Sequence, residues 1–98
     1  MPTYVTLYQY TEQGIRNIKE SPKRVQTVSK AMGDKFGVAV KTALWIQGKY
    51  DFLTITEAPD EASAASAAME IAKMGNVRTL TMRAFTAAEW EKILEKVA

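Results

Sequence analysis

Asp51, Tyr50 and Arg16 are the residues through which this chain could move a proton or hold an anion. The carboxylate would serve as a general base and the guanidinium as an anion clamp. That work falls to them because the 98 residues include no cysteine and no histidine. Thiolate nucleophiles, disulfides, zinc–thiolate centres and imidazole acid–base or metal chemistry are therefore excluded. No metal-ligand set and no cofactor motif stands in the sequence. Asp51 also has a purely structural reading, in which it ties a hairpin to the positive N-terminal end of the first helix or to Arg16.

A second group could contact a small organic ligand: Tyr4, Thr6, Tyr8, Asn17, Phe52, Thr54 and Arg78. Pockets for such ligands are mostly apolar and carry a few placed polar groups. The rings and hydroxyls of this group alternate along two segments, so their positions depend on the strands that hold them.

Tyr4 to Tyr10 alternates and is rich in β-branched and aromatic residues, which predicts a strand. Ile15, Ile18, Val25, Val28, Met32 and Phe36 follow at helical spacing, with Thr11 as N-cap. Ser21-Pro22 interrupts that run. Proline cannot donate a backbone hydrogen bond, so a short helix, a kink and a longer helix capped by Ser21 are expected. Gly37 closes the helix. Val38 to Gln47 and Tyr50 to Glu57 read as strands joined by a two-residue turn at Gly48-Lys49. Pro59 and Asp60 open a helix to about Met74, closed by Gly75-Asn76. Val77 to Phe85 is a fourth strand, and Thr86-Ala87-Ala88-Glu89 is a capping box that starts a last helix.

This order predicts an α+β, ferredoxin-like βαββαβ unit with a C-terminal helix and a four-stranded antiparallel sheet. Residues 1–98 form a single domain, as their length suggests. The first and third strands become central. Lys41, Arg78 and Arg83 lie on the edges, where charge blunts unwanted pairing.

Side chains alternate faces along a strand. One face collects Val5, Leu7, Leu53, Ile55, Leu80 and Met82, and this aliphatic set is expected under the helices. The other collects Tyr4, Thr6, Tyr8, Phe52, Thr54, Thr56, Thr79 and Thr81. A contiguous patch of that kind marks an interaction surface. Stacking it on a second copy predicts a homodimer, or a higher homo-oligomer, with a shared barrel-like interior. The alternative is a last helix that folds back over the face. Trp45 could join either set, because a bulge in the second strand would change its register.

Apolar residues make up 47% and charged residues 24%, with a formal charge of +2. These values fit a globular chain and give no argument for nucleic acid or membrane. Without a visible leader or a membrane-length apolar run, a cytoplasmic location is expected. Lys23 and Arg24 read as a solvated face, and Trp45 and Trp90 as packing anchors.

Gly48-Lys49-Tyr50-Asp51 resembles the Gly-x-Tyr-Asp signature of the GYD domain family. Supporting blocks are Gly14 to Lys19, Ser21 to Arg24, Glu57 to Pro59, Gly75 to Thr79 and Arg83 to Thr86, in that order over nearly the whole chain. The family resembles the dimeric α+β barrel group. The resemblance therefore implies this fold and a dimer, and transfers no reaction.

Three functions compete at this level. The first is a homodimeric module for a small organic ligand. The second is a cofactor-free oxygenase or isomerase using Asp51, Tyr50 and Arg16. The third and weakest is RNA binding, from the likeness of Lys49 to Ile55, with Tyr8, to the aromatic strands of an RNA recognition motif. The acidic Asp51 and the absence of a glycine between the basic and aromatic residues argue against it.

Overall fold

The alternating segment at the N-terminus forms strand β1, Thr3–Tyr10. The computed structural model describes residues 1–97. Thr11 caps helix α1, Glu12–Arg16, by accepting from the Gly14 amide. A 3-10 turn, Ile18–Glu20, leads into helix α2, Ser21–Phe36. Pro22 lies in the first turn of α2, where its missing N–H has no helical partner to lose. Ser21 is the first helical residue and makes no capping bond, contrary to the sequence expectation; its hydroxyl is engaged elsewhere. Gly37 ends α2 with φ of 71°, the left-handed conformation that glycine adopts without a Cβ penalty.

Strands β2, Ala39–Trp45, and β3, Phe52–Glu57, follow. Their connection runs from Ile46 to Asp51 and is closed by the Ile46 amide donating to the Asp51 carbonyl at 2.9 Å. The tight two-residue turn expected at Gly48-Lys49 is therefore a longer loop. Helix α3, Glu61–Lys73, is capped by the Asp60 carboxylate on the Ser63 amide. Strand β4, Val77–Ala84, precedes helix α4, Ala87–Leu94, whose Thr86–Glu89 capping box is complete.

The sheet order is β2-β3-β1-β4 with every pairing antiparallel. The ferredoxin-like plan is thus realised, with β1 and β3 central. The register of β2 shifts between Val40 and Thr42, leaving Lys41 bulged out of the ladder. Lys41 reaches Glu57 at 3.7 Å.

The two-faced division of the sheet holds, but the faces are reversed with respect to the helices. Tyr4, Thr6, Tyr8, Phe52, Thr54 and Thr56 are buried, on the side covered by α2 and α3. The aliphatic face of Val5, Leu7, Leu53, Ile55, Leu80 and Met82 is the open one, with Leu80 44% exposed. The reason is volume. The inner side of α3 presents Ala64, Ala67 and Ala68, which leave space that large rings fill and aliphatic side chains would not. On this face the Tyr8 hydroxyl bonds that of Thr54 and the Thr6 hydroxyl that of Thr81 across the strands, so the burial of these four is compensated.

Helix α4 does not fold back over the sheet. It buries no residue and leaves Trp90 and Leu94 exposed. It is tied to the end of β4 by Phe85 against Trp90 and by Arg83 to Glu89 at 3.8 Å. The molecule measures 51 × 31 × 18 Å with a radius of gyration of 14.5 Å. A closed globule of this length would have about 12.5 Å.

Candidate functional site

The space between the sheet and the two long helices holds a partly open cavity of about 90 Å³. One water needs roughly 10–15 Å³ on such a measure, so the cavity holds on the order of six water-sized groups. Its floor is the ring-and-hydroxyl face of β1 and β3 with Thr79 and Thr81 of β4. Its roof is Ala64, Ala67, Ala68 and Ile71 of α3, and Val25, Val28 and Met32 of α2.

Most polar groups here are satisfied. The Tyr8 hydroxyl bonds that of Thr54 at 3.0 Å, and the Thr6 hydroxyl bonds that of Thr81 at 3.1 Å. The Tyr8 and Phe52 rings stack at 4.0 Å, almost parallel. Two atoms depart from this pattern. The Tyr4 hydroxyl and the Arg24 Nη2 are buried and have no hydrogen-bond partner. Tyr4 itself is only 7% exposed. Unpaired buried donors are rare, because each forfeits its hydration.

Burial pushes the Tyr8 phenol above the ordinary tyrosine value of 10.0, although hydrogen bonds to Thr54 and Thr6 oppose the shift. The folded chain therefore holds this proton more tightly than the unfolded chain. The associated stability is complete below the unfolded value and is lost as pH rises through the folded one. Tyr8→Phe is expected to lose less stability than the wild type as pH rises above 10.0, followed by urea unfolding at each pH. A larger alkaline loss in the variant would contradict this.

Of the candidate ligand contacts, Tyr4, Thr6, Tyr8, Phe52 and Thr54 line the cavity. Asn17 and Arg78 are exposed and do not. Asn17 serves locally: its side chain donates to the Gln13 carbonyl and its own carbonyl accepts from Arg24. Tyr4 and Tyr8 lie beneath their own helices rather than at a surface for a second copy. The same burial removes Tyr8 and Phe52 from the open face, where RNA bases would need to stack.

Asp51, Tyr50 and Arg16 lie at the β1-exit end of the sheet, yet no hydrogen bond or ion pair joins them among the described residues. The Asp51 carboxylate accepts from the Tyr10 amide at 2.7 Å, while the Asp51 amide donates to the Tyr8 carbonyl at 2.8 Å. Asp51 thus ties the hairpin to β1, not to α1 as the structural reading had it. Arg16 is exposed and pairs with Glu12 on its own helix. Tyr50 packs beneath the Lys49 ammonium, 5.9 Å from its ring. Asp51→Ala should cost about 1.5–3 kcal/mol, the range for a hydrogen bond to a charged group, and lower Tm accordingly. An unchanged Tm would show that the Tyr10 contact contributes nothing.

Trp45 joins the helix side, as the bulge permits. Its ring lies 6.0 Å from that of Phe52, and its Nε1 donates towards the Tyr10 and Ser21 hydroxyls at 3.2 Å. Sequence reasoning missed Arg24, read as a solvated face. The signal was its spacing: residues 21, 24, 25, 28 and 32 share the inward stripe of α2.

The GYD domain family model matches residues 4–94. This chain belongs to the GYD domain family. A Thermus thermophilus relative, named glutamine synthetase and cystathionine beta-lyase binding protein, is 34% identical over 89 residues. That match covers 91% of this GYD chain and 94% of the relative. Among solved structures, FFRP-DM1 superposes with a TM-score of 0.62 at 23% identity, covering 87% of this chain and all of that one. A hypothetical protein from Pyrococcus horikoshii gives 0.58 at 25% identity, covering 88% and 92%. A Thermus thermophilus structure gives 0.56 at 22%, covering 89% and 96%. These likenesses support the fold of the GYD chain. No helix among the described residues is long and apolar enough to cross a membrane.

Proposed function

We propose that this GYD protein is a homodimeric module that takes a small organic ligand between its sheet and its helices. The observation that carries the reading is the cavity whose buried Tyr4 hydroxyl lacks a partner. A ligand that binds only the folded chain stabilises it by about 2.7 kcal/mol at a hundredfold excess over Kd. A thermal-shift screen of small metabolites should therefore raise Tm for at least one chemical class. A flat response across all of them would end the reading.

The dimer rests on the opposite face. Two-fold stacking of the aliphatic faces buries Leu7, Leu53 and Leu80 against their counterparts. That face spans about 19 by 20 Å from strand spacing and rise. This is short of the roughly 800 Å² per partner of a standard interface. The projecting α4, with Trp90 and Leu94 exposed, supplies further apolar area for the partner. The expected mass in solution is twice the 10.9 kDa of one chain.

The name of the Thermus relative favours a second reading, in which such a module docks on another protein. Co-elution with purified glutamine synthetase or cystathionine beta-lyase in size-exclusion chromatography would support it. Separate elution of every component would oppose it.

A further inference from the structure

We infer that the cavity takes a small monocarboxylate, its carboxylate on the Arg24 guanidinium and its short apolar body among Val25, Val28 and Ile71. This deepens, and rests on, the small-ligand reading above. Three observations on the cavity lead to it.

The first is charge. Arg24 is the one side chain of fixed charge lining the cavity, and no Asp or Glu lines it. No carboxylate lies within ion-pair distance of Arg24 among the described residues. The second is unmet hydrogen bonding. Arg24 Nη1 is anchored on the Asn17 carbonyl at 3.3 Å, which leaves the buried Nη2 without a partner. A guanidinium N–H in that position is complementary to an oxyanion, and charge-assisted bonds of this kind are about twice as strong as neutral ones. The Tyr4 hydroxyl is a second buried donor with nothing to donate to. The remaining hydroxyls of the floor, Tyr8 with Thr54 and Thr6 with Thr81, already satisfy one another.

The third is size and wall chemistry. About 90 Å³ with a mostly apolar lining surface suits a branched or short-chain acid. A doubly charged phosphate would meet one cation in a mostly apolar enclosure. An amino acid would bring an ammonium, and the cavity has no carboxylate to receive it. A simple carboxylate uses the donors present and leaves no charge unpaired.

The test is a titration of the full chain, followed by amide ¹H–¹⁵N spectra at neutral pH, with isobutyrate and with its neutral isostere isobutyramide. Isobutyrate is expected to shift cavity-lining amides saturably and to bind at least about tenfold more tightly than the amide. Arg24→Gln should remove that preference and bring the two probes level. Arg24→Met, which keeps the side-chain stem and removes the charge, should do the same, which gives a second measurement if the Arg24→Gln variant does not fold. Equal binding of both probes to the wild type, or undiminished isobutyrate binding in both variants, overturns the carboxylate assignment and leaves the cavity reading standing. Spectra unmoved by either probe also overturn the carboxylate assignment, and the thermal-shift screen then decides the small-ligand reading.

Discussion

With the aliphatic faces stacked as proposed, Leu80→Lys is expected to convert the dimer to monomer, raising the dissociation constant by at least about 30-fold. Leu80 pairs with Leu7 across the β1–β4 ladder and is 44% exposed in the isolated chain. A lysine is therefore accommodated within one molecule, and circular dichroism should be unchanged. In a stacked pair of sheets each copy would bring an ammonium into an aliphatic layer that holds no partner for it. Losing a hot-spot side chain costs at least about 2 kcal/mol, and unpaired buried charge costs more. Sedimentation of wild type and variant at equal concentration decides the matter. The opposite face gives the contrast. Thr54→Ala removes the 3.0 Å partner of the buried Tyr8 hydroxyl and should cost about 0.5–1.5 kcal/mol of fold stability while association persists. A wild type that sediments as a monomer at high micromolar concentration, or a Leu80→Lys variant that remains dimeric, would refute the stacking.

The second large effect is expected from a single methyl group. In Gly14→Ala the added Cβ would lie 2.0 Å from the Asn76 carbonyl oxygen and 3.1 Å from the Tyr10 ring. Backbone cannot yield as a flexible side chain does. The junction between α1 and the start of β4 must open, and several bonds cross it. The Thr11 amide donates to the Asn76 carbonyl at 3.0 Å, the Thr11 hydroxyl to the Gly75 carbonyl at 2.6 Å, and Gln13 Nε2 to the Met74 carbonyl at 3.1 Å. Overpacking of this severity costs about 3 kcal/mol, which for a domain of this size lowers Tm by about 12–24 °C. Gly33→Ala is the matched control. Its Cβ meets only the Val38 carbonyl, at 3.4 Å, inside α2, where alanine is favoured over glycine by up to about 1 kcal/mol. Calorimetry should show Tm held or raised in that variant. Equal melting of the two would mean that the Gly14 contact relaxes at no cost.

Local signals in this chain were strong enough to carry the architecture. The Thr11 cap, the helix start at Pro59-Asp60, the Thr86–Glu89 capping box, Gly37 and the alternation of β1 all placed their elements correctly. The bulge in β2 could only be posed as a condition on Trp45, because one extra residue changes parity without changing composition. The choice of face was legible in kind and not in direction. Apolarity assigned the aliphatic set to the helices, yet what decided the matter was the depth that α3's alanines leave open and the pairing of threonine and tyrosine hydroxyls with one another. Both depend on residues distant in sequence. Most of the floor of the candidate site, Tyr4, Thr6, Tyr8, Phe52 and Thr54, was readable because strand parity groups it. Asn17 and Arg78 were not separable from it by sequence, since proximity at a sheet end says nothing of where a long side chain goes. Arg24 was legible only to an argument that set its helical position above its charge.

The alanines at 64, 67 and 68 give the fold an unusual kind of tunability. Strands set the chemistry of the chamber through rings and hydroxyls that also hold the sheet together, so changing them risks the whole molecule. The helix above contributes little more than headroom. Exchanging one of those methyls for a bulkier group would lower the ceiling and screen molecules by length, while the polar contacts below kept their geometry. Under the small-ligand proposal, a single helical position would thereby set what the chamber admits.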